Sequence, residues 1–199
     1  FSNYANRKYF FTATPKNSNN PDMGMNGKTF GKTIIQVPAP DLISKGYIIP
    51  PKVKAVKYPV GHFSSQEEID KKVILDALKN EKHMDKVLVT AKSTTNIRNL
   101  ITKTDFQAIC HTMKYNVLWI TSKFGAIING TKVGREEFFD TLTKWGQDDN
   151  KRFVIFHYSI LSEGINVPGL THTVLLRNLP IIEMAQTCLL YTSDAADDP

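Results

Sequence analysis

The chain has 199 residues, enough for one ordinary domain or for one domain with part of a second. Hydrophobic residues make up 41% and charged residues 22%, a globular composition that excludes a disordered or fibrous protein. The formal net charge of +6 is compatible with a polyanionic partner, and no apolar run reaches the roughly 18 residues of a membrane span.

The first quarter of the sequence predicts short elements that end at a stiff joint. Strands are expected at 7–12 and 32–37, and a short helix begins at Asp41 and closes at Gly46. Pro50 and Pro51 then hold the backbone extended, because proline fixes φ and restricts the residue before it. We therefore expect a domain boundary here, with one unit at 1–50 and the next at 51–187.

Beyond the joint, apolar strand patterns alternate with helical patterns. Strands are predicted at 52–58, 86–91, 117–121, 153–157 and 173–176, and helices at 66–82, 94–114 and 134–145. This alternation is typical of an α/β fold with a parallel sheet covered by helices on both faces. Such sheets bind ligands outside the carboxyl ends of their strands. Trp119 is interpreted as a core residue in preference to a base-stacking platform.

The last twelve residues, 188–199, differ from the rest because they contain no Lys or Arg in an otherwise basic chain. Their string LLYTSDAADD resembles a translated sequencing-library adapter. We expect this tail to be non-native, with a frayed acidic C-terminus as the alternative.

The sequence predicts neither a metal site nor a phosphate-binding loop. Two cysteines are too few for a disulfide framework or a Cys-based zinc site, which favours a reducing, cytoplasmic compartment. Both Gly27-Lys28-Thr29 and Gly31-Lys32-Thr33 lack the first glycine of the loop, since Asp22 and Asn26 stand there. We therefore expect the chain alone to bind no cofactor and not to hydrolyse ATP.

Two segments that follow apolar strands could carry chemistry. Thr12 and Thr14 lie at a strand end before Pro15, where their hydroxyls could bind a carboxylate or a water, although threonine is common at strand ends. The loop after strand 153–157 contains Gly164, which would let backbone approach a ligand closely. The alternative is an ordinary loop punctuated by glycine and proline.

The order of these pieces resembles the superfamily 2 helicases and translocases, and is closest to their bacteriophage and type III restriction-like branch. The resemblance covers residues 7–187 and rests on FFTATP, VLVTA, IINGTKVGREEFF, SEGINVP and EMAQT. TATP looks like motif III, VLVTA like motif IV, SEGINVP like motif V, and Gln186 like the start of motif VI. The resemblance implies a second RecA-like motor domain at 51–187, preceded by the C-terminal part of a first RecA-like domain.

The resemblance also implies roles for individual residues. Thr12 and Thr14 would couple the nucleotide site to the nucleic-acid site, and Gln186 would begin the motif that ends in an arginine finger. Glu163 and Asn166 would lie towards the nucleotide, although motif V usually has Asp where Asn166 stands. The candidate contacts to nucleic-acid phosphates are Thr90, Ser93, Thr131, Ser162 and Gly164.

The implied function is an ATP-dependent nucleic-acid helicase or translocase, of which this chain would be a fragment without motifs I and II. The intact enzyme would use ATP and Mg²⁺ and would follow DNA, in preference to RNA, through backbone contacts. It would work in the cytoplasm, or the host cytoplasm if phage-encoded, with no membrane partner. Two alternatives stay open: a non-catalytic α/β module that binds nucleic acid or a partner, and the translocation subunit of a restriction enzyme.

Overall fold

The helices and strands come from a computed structural model of the chain. It describes residues 9–10, 30–47, 52–57, 61, 63–80, 85–158, 167 and 169–178. The helices within these ranges are α1 (Ala39–Ser44), α2 (Gln66–Asn80), α3 (Thr94–Lys103), α4 (Phe106–Thr112) and α5 (Arg135–Gln147). The strands are β1 (Lys86–Thr90), β2 (Asn116–Thr121), β3 (Gly125–Ile128), β4 (Thr131–Val133), β5 (Phe153–His157) and β6 (His172–Leu175).

The strands form one six-stranded sheet in the order β4-β3-β2-β5-β1-β6. β2, β5, β1 and β6 are mutually parallel, whereas β3 and β4 run antiparallel to their neighbours. The fold is therefore α/β, as predicted, but the sheet is mixed where a parallel sheet was expected. The short turn after Thr121 reverses the chain between β2 and β3. The turn Asn129-Gly130, whose φ angles of 48° and 85° are both positive, favours the tight hairpin between β3 and β4.

Helices cover both faces of the sheet, as the alternation predicted. α2, α3 and α4 pack on one face against alternate residues of the strands, including Val89 and Phe156. α5 packs on the other face, where Phe138 and Leu142 belong to the same buried cluster as Leu88 and Ile155. Trp119 is 4% exposed and belongs to the first of these cores, which confirms its interpretation as a core residue.

The single helix predicted at 94–114 is divided at Thr104. Its hydroxyl donates to the carbonyl of Leu100 (2.5 Å) and accepts from the N–H of Phe106 (3.2 Å). Its backbone is extended, at φ −122° and ψ 171°. A side chain that bonds the backbone in this way competes with the helical ladder, so α3 ends here and α4 begins two residues later.

Two predicted strands in the first part of the chain are wrong. Residues 32–37 and the described part of 52–58 have no strand structure and are exposed. A strand needs the backbone of a neighbour to complete its hydrogen bonds, and no described strand pairs with either segment. Most of the strand predicted at 7–12 lies outside the described residues, and the domain boundary near residue 50 stays a prediction.

Candidate functional site at the carboxyl edge of the sheet

Three parallel strands end together at the centre of the sheet. β1 and β5 lie side by side with Thr90 in register with His157, and β6 flanks β1 on its other side. The N–H of Ala91 donates to the carbonyl of His157 (2.9 Å), and the N–H of Leu176 donates to that of Thr90 (3.0 Å). We call Thr90, Lys92, Ser93 and His157 the carboxyl-edge site, because all four lie where β1 and β5 end.

Thr90 and His157 form a buried polar pair within this site. Each is 1% exposed, and the Thr90 hydroxyl shares a hydrogen bond of 3.0 Å with His157 Nε2. His157 Nδ1 has no hydrogen-bond partner within the described part of the chain. Burial, reinforced by the positive charge of Arg177, lowers the pKa of His157 to about 4, so the imidazole is neutral at pH 7.

The low pKa of His157 makes the stability of the fold depend on pH. The unfolded chain takes up a proton near pH 6.5, whereas the folded chain resists protonation down to about pH 4. The contribution of His157 is therefore complete above pH 6.5 and is lost as the pH falls through this window, with a slope of up to about 1.4 kcal/mol per pH unit. Urea unfolding at a series of pH values should show this loss. His157→Gln should have a flatter profile there, and an equally steep one would contradict the assignment.

Ser93 begins helix α3. Its hydroxyl accepts from the N–H of Asn96 (3.1 Å) and donates to the Asn96 side-chain oxygen (2.5 Å). The Ser93 backbone is extended, as expected for an N-cap residue. The first turn of α3 carries no acidic residue, so no side-chain carboxylate there offsets the positive end of the helix dipole.

Lys92 places an exposed cation between the buried pair and the helix cap. Its Nζ lies 3.7 Å from a carboxylate oxygen of Asp70, which is only 5% exposed. Burial raises the pKa of Asp70, while the hydrogen bond from Gln66 (2.8 Å) and the charge of Lys92 oppose that rise. The Lys92 stem is thus directed towards α2, where its ammonium pairs with Asp70, and the residue is exposed at this edge.

The structure brings two of the predicted phosphate contacts together and separates a third. Thr90 ends β1 and Ser93 caps the helix that follows, so the two are close together. The Thr90 hydroxyl, however, is buried and bonded to His157. Thr131 lies on β4, four strands from β1 in the sheet order, a spacing of about 19 Å. The remaining predicted site residues, Thr12, Thr14, Ser162, Glu163, Gly164, Asn166 and Gln186, lie outside the described residues.

A larger cavity among the described residues lies away from this edge. It has a volume of about 800 Å³ and is lined by Gln107, His111, Asn116 and Asn129, at the amino end of β2. No predicted site residue that the structure describes lines it. Within the described ranges, His, Cys, Asp and Glu side chains also form no group of three that could hold a metal ion.

Sequence reasoning missed Lys92, Asp70 and the partnership of Thr90 with His157. Lys92 stands between two residues that were singled out, so its position was a usable signal. In the sequence Asp70 is one of several acidic residues in the helix predicted at 66–82, and only the packing shows that it is buried. The Thr90–His157 pair depends on the order of strands in the sheet, which a single sequence does not specify.

Comparison with known proteins adds no relative. The sequence matches no protein-family model, and no curated protein or solved structure shows significant similarity to it. Of the helices in the described ranges, none combines the length and the apolar character that a bilayer crossing requires. The class that the structure defines is an α/β fold with a mixed six-stranded sheet.

Proposed function

We propose that this chain is the second motor domain of an ATP-dependent helicase or translocase of superfamily 2, and that its carboxyl edge binds the phosphates of a single nucleic-acid strand. The observation that carries the proposal is the pairing of β1 with β5. β1 contains most of the stretch that resembles motif IV, and β5 precedes the stretch that resembles motif V. Their parallel alignment brings the carboxyl ends of the two strands to one edge of the sheet.

The charges at this edge support an anionic ligand. Lys92, an exposed residue whose ammonium also lies 3.7 Å from Asp70, comes directly before the N-cap of α3, and the first turn of this helix has no carboxylate. By contrast, α2 and α5 each have two glutamates in the first turn. Backbone N–H groups at a helix start and a neighbouring lysine bind phosphate without reading base sequence.

In this proposal ATP and Mg²⁺ bind the intact enzyme between this domain and a first RecA-like domain, and none of the described residues is assigned to them. The nucleic acid is DNA, and the enzyme works in the cytoplasm. Glu163, Asn166 and Gln186 keep the roles that the resemblance implies.

The experiment is the salt dependence of strand binding by wild type and Lys92→Ala. Affinity for a labelled oligothymidylate strand, measured by fluorescence anisotropy, should fall steeply as salt increases. Removing one phosphate contact should reduce the slope of log K against log salt by about 0.7 and should weaken binding at low salt. Lys92→Ala also removes the positive charge 3.7 Å from the buried carboxylate of Asp70, so circular dichroism checks that the fold stays intact.

Lys144→Ala is the matched control. Lys144 is also exposed, but it lies in the last turn of α5, whose end contacts the start of β1 at the amino edge of the sheet. This variant removes the same charge and should keep the wild-type slope. If the two variants had equal slopes, the phosphate contact would not lie at the carboxyl edge. Affinity that stays constant across the salt range would refute phosphate binding.

A further inference from the structure

A second group of cations surrounds an aromatic ring at the same edge of the sheet. Phe124 lies in the turn between β2 and β3, and its N–H donates to the hydroxyl of Thr121, the last residue of β2 (2.9 Å). The guanidinium of Arg98 lies 5.3 Å from the centre of the Phe124 ring, and the ammonium of Lys123 lies 5.5 Å from it. Both cations are exposed, and neither forms an ion pair with a carboxylate among the described residues.

Beside this ring a cleft opens between α3 and the β3–β4 hairpin. We call it the hairpin cleft; its volume is about 330 Å³, and its lining includes Arg98, Trp119, Phe124 and Ile127. The Trp119 ring meets Phe124 edge to face with centroids 6.2 Å apart. Trp119 Nε1 is a buried donor with no acceptor in the described part of the chain. The cleft thus combines an apolar wall with cations at its rim, and its size is at the lower end of ligand pockets, about 300 to 1,000 Å³.

We infer that the hairpin cleft receives an unpaired base of the strand bound at the carboxyl edge. Phe124 stacks on the base, and Arg98 and Lys123 bind the phosphates on either side of it. An aromatic face with neighbouring cations is a combination that binds single strands and tolerates any base, since every base has a flat face. A base in a duplex is paired and stacked and is not free to enter. The inference rests on the proposed function and adds to it a contact with bases and a preference for unpaired strands.

The decisive comparison uses strands that differ only in their bases. The full chain is titrated with labelled oligothymidylate and with an abasic strand of the same length and the same number of phosphates. Stacking of a base on an aromatic ring predicts that the abasic strand binds about tenfold more weakly. Phe124→Leu should remove most of this difference, and Phe124→Tyr, which keeps the ring, should retain it.

Phe139→Leu is the matched control. Phe139 is a partly buried ring with a guanidinium, that of Arg135, also 5.3 Å from its centre, but it packs on the opposite face of the sheet. This variant should keep the wild-type preference for the strand that has bases. The preference needs only wild-type protein, so it can be tested even if Phe124→Leu unfolds.

The outcomes separate the two proposals. Salt-sensitive binding that is equal for the two strands, or a preference that Phe124→Leu keeps, overturns the base contact and leaves the phosphate contacts standing. Absence of binding to either strand at low salt overturns the proposed function, and the base contact with it. A tenfold preference that Phe124→Leu loses and Phe139→Leu keeps supports both.

Discussion

Phe156→Ala should lower the free energy of unfolding by about 4 kcal/mol. Phe156 has no solvent-exposed surface and lies on β5, which is flanked by β2 and β1 in the middle of the sheet. Its ring meets that of Phe106 on α4 edge to face, with centroids 5.5 Å apart and an interplanar angle of 82°. The substitution loses the burial of the ring and this contact, and it leaves a cavity that a rigid strand cannot close. Urea denaturation followed by circular dichroism measures the change.

Ile35→Ala is the control for this prediction. Ile35 is 79% exposed, so shortening it should change the free energy of unfolding by less than about 0.5 kcal/mol. A loss below about 1 kcal/mol for Phe156→Ala would show that this part of the core is not packed as described.

Gly169→Ala should lower the free energy of unfolding by about 3 kcal/mol, because two independent penalties act at this position. Gly169 has a φ of +64°, which is strained for any residue with a Cβ atom. An added Cβ would also lie 2.5 Å from the carbonyl oxygen of Gly146 and 2.8 Å from Lys86 Nζ. Lys86 is 4% exposed and donates to that same carbonyl, so any shift that relieves the overlap weakens the hydrogen bond of a buried cation.

Gly46→Ala separates the two penalties. Gly46 has a similar φ of +77°, but nothing lies within 4 Å of the position that its Cβ would occupy. Gly46→Ala should therefore lower the free energy of unfolding by only about 1 kcal/mol, which is the cost of the backbone strain alone. If thermal and urea unfolding gave equal losses for the two variants, the close packing around Gly169 would be refuted.

The central strands could be predicted from the sequence because burial on both faces leaves a local mark. The predicted strand at 153–157 coincides with β5, and the strands predicted at 86–91 and 117–121 match β1 and β2 to within one residue. A continuous run of apolar residues of this length fits a strand covered on two sides. The segments at 32–37 and 52–57 show the limit of such patterns, because a strand also needs a partner.

The hairpin could in principle have been predicted from Asn129-Gly130, the strongest short signal for a two-residue turn between strands. The helix predicted after it, at 134–145, does begin nearby, at Arg135. The candidate site could be predicted only in part. Thr90 and Ser93 are close in sequence and lie at one site, whereas Thr131 lies on β4, four strands away. Phe124 belongs to no sequence motif that predicts a role for it. Its position beside Arg98 is known only from the packing of the fold.

The β3–β4 hairpin also forms one edge of the sheet, and its shape affects whether another chain can pair with that edge. β4 offers only three residues, and Thr131 and Lys132 on it are exposed. A short outer strand bearing a lysine is a poor template for a further chain, because the intruding backbone gains few bonds and must desolvate a charge. Intermolecular strand addition, the first step towards aggregation, is therefore disfavoured along β4.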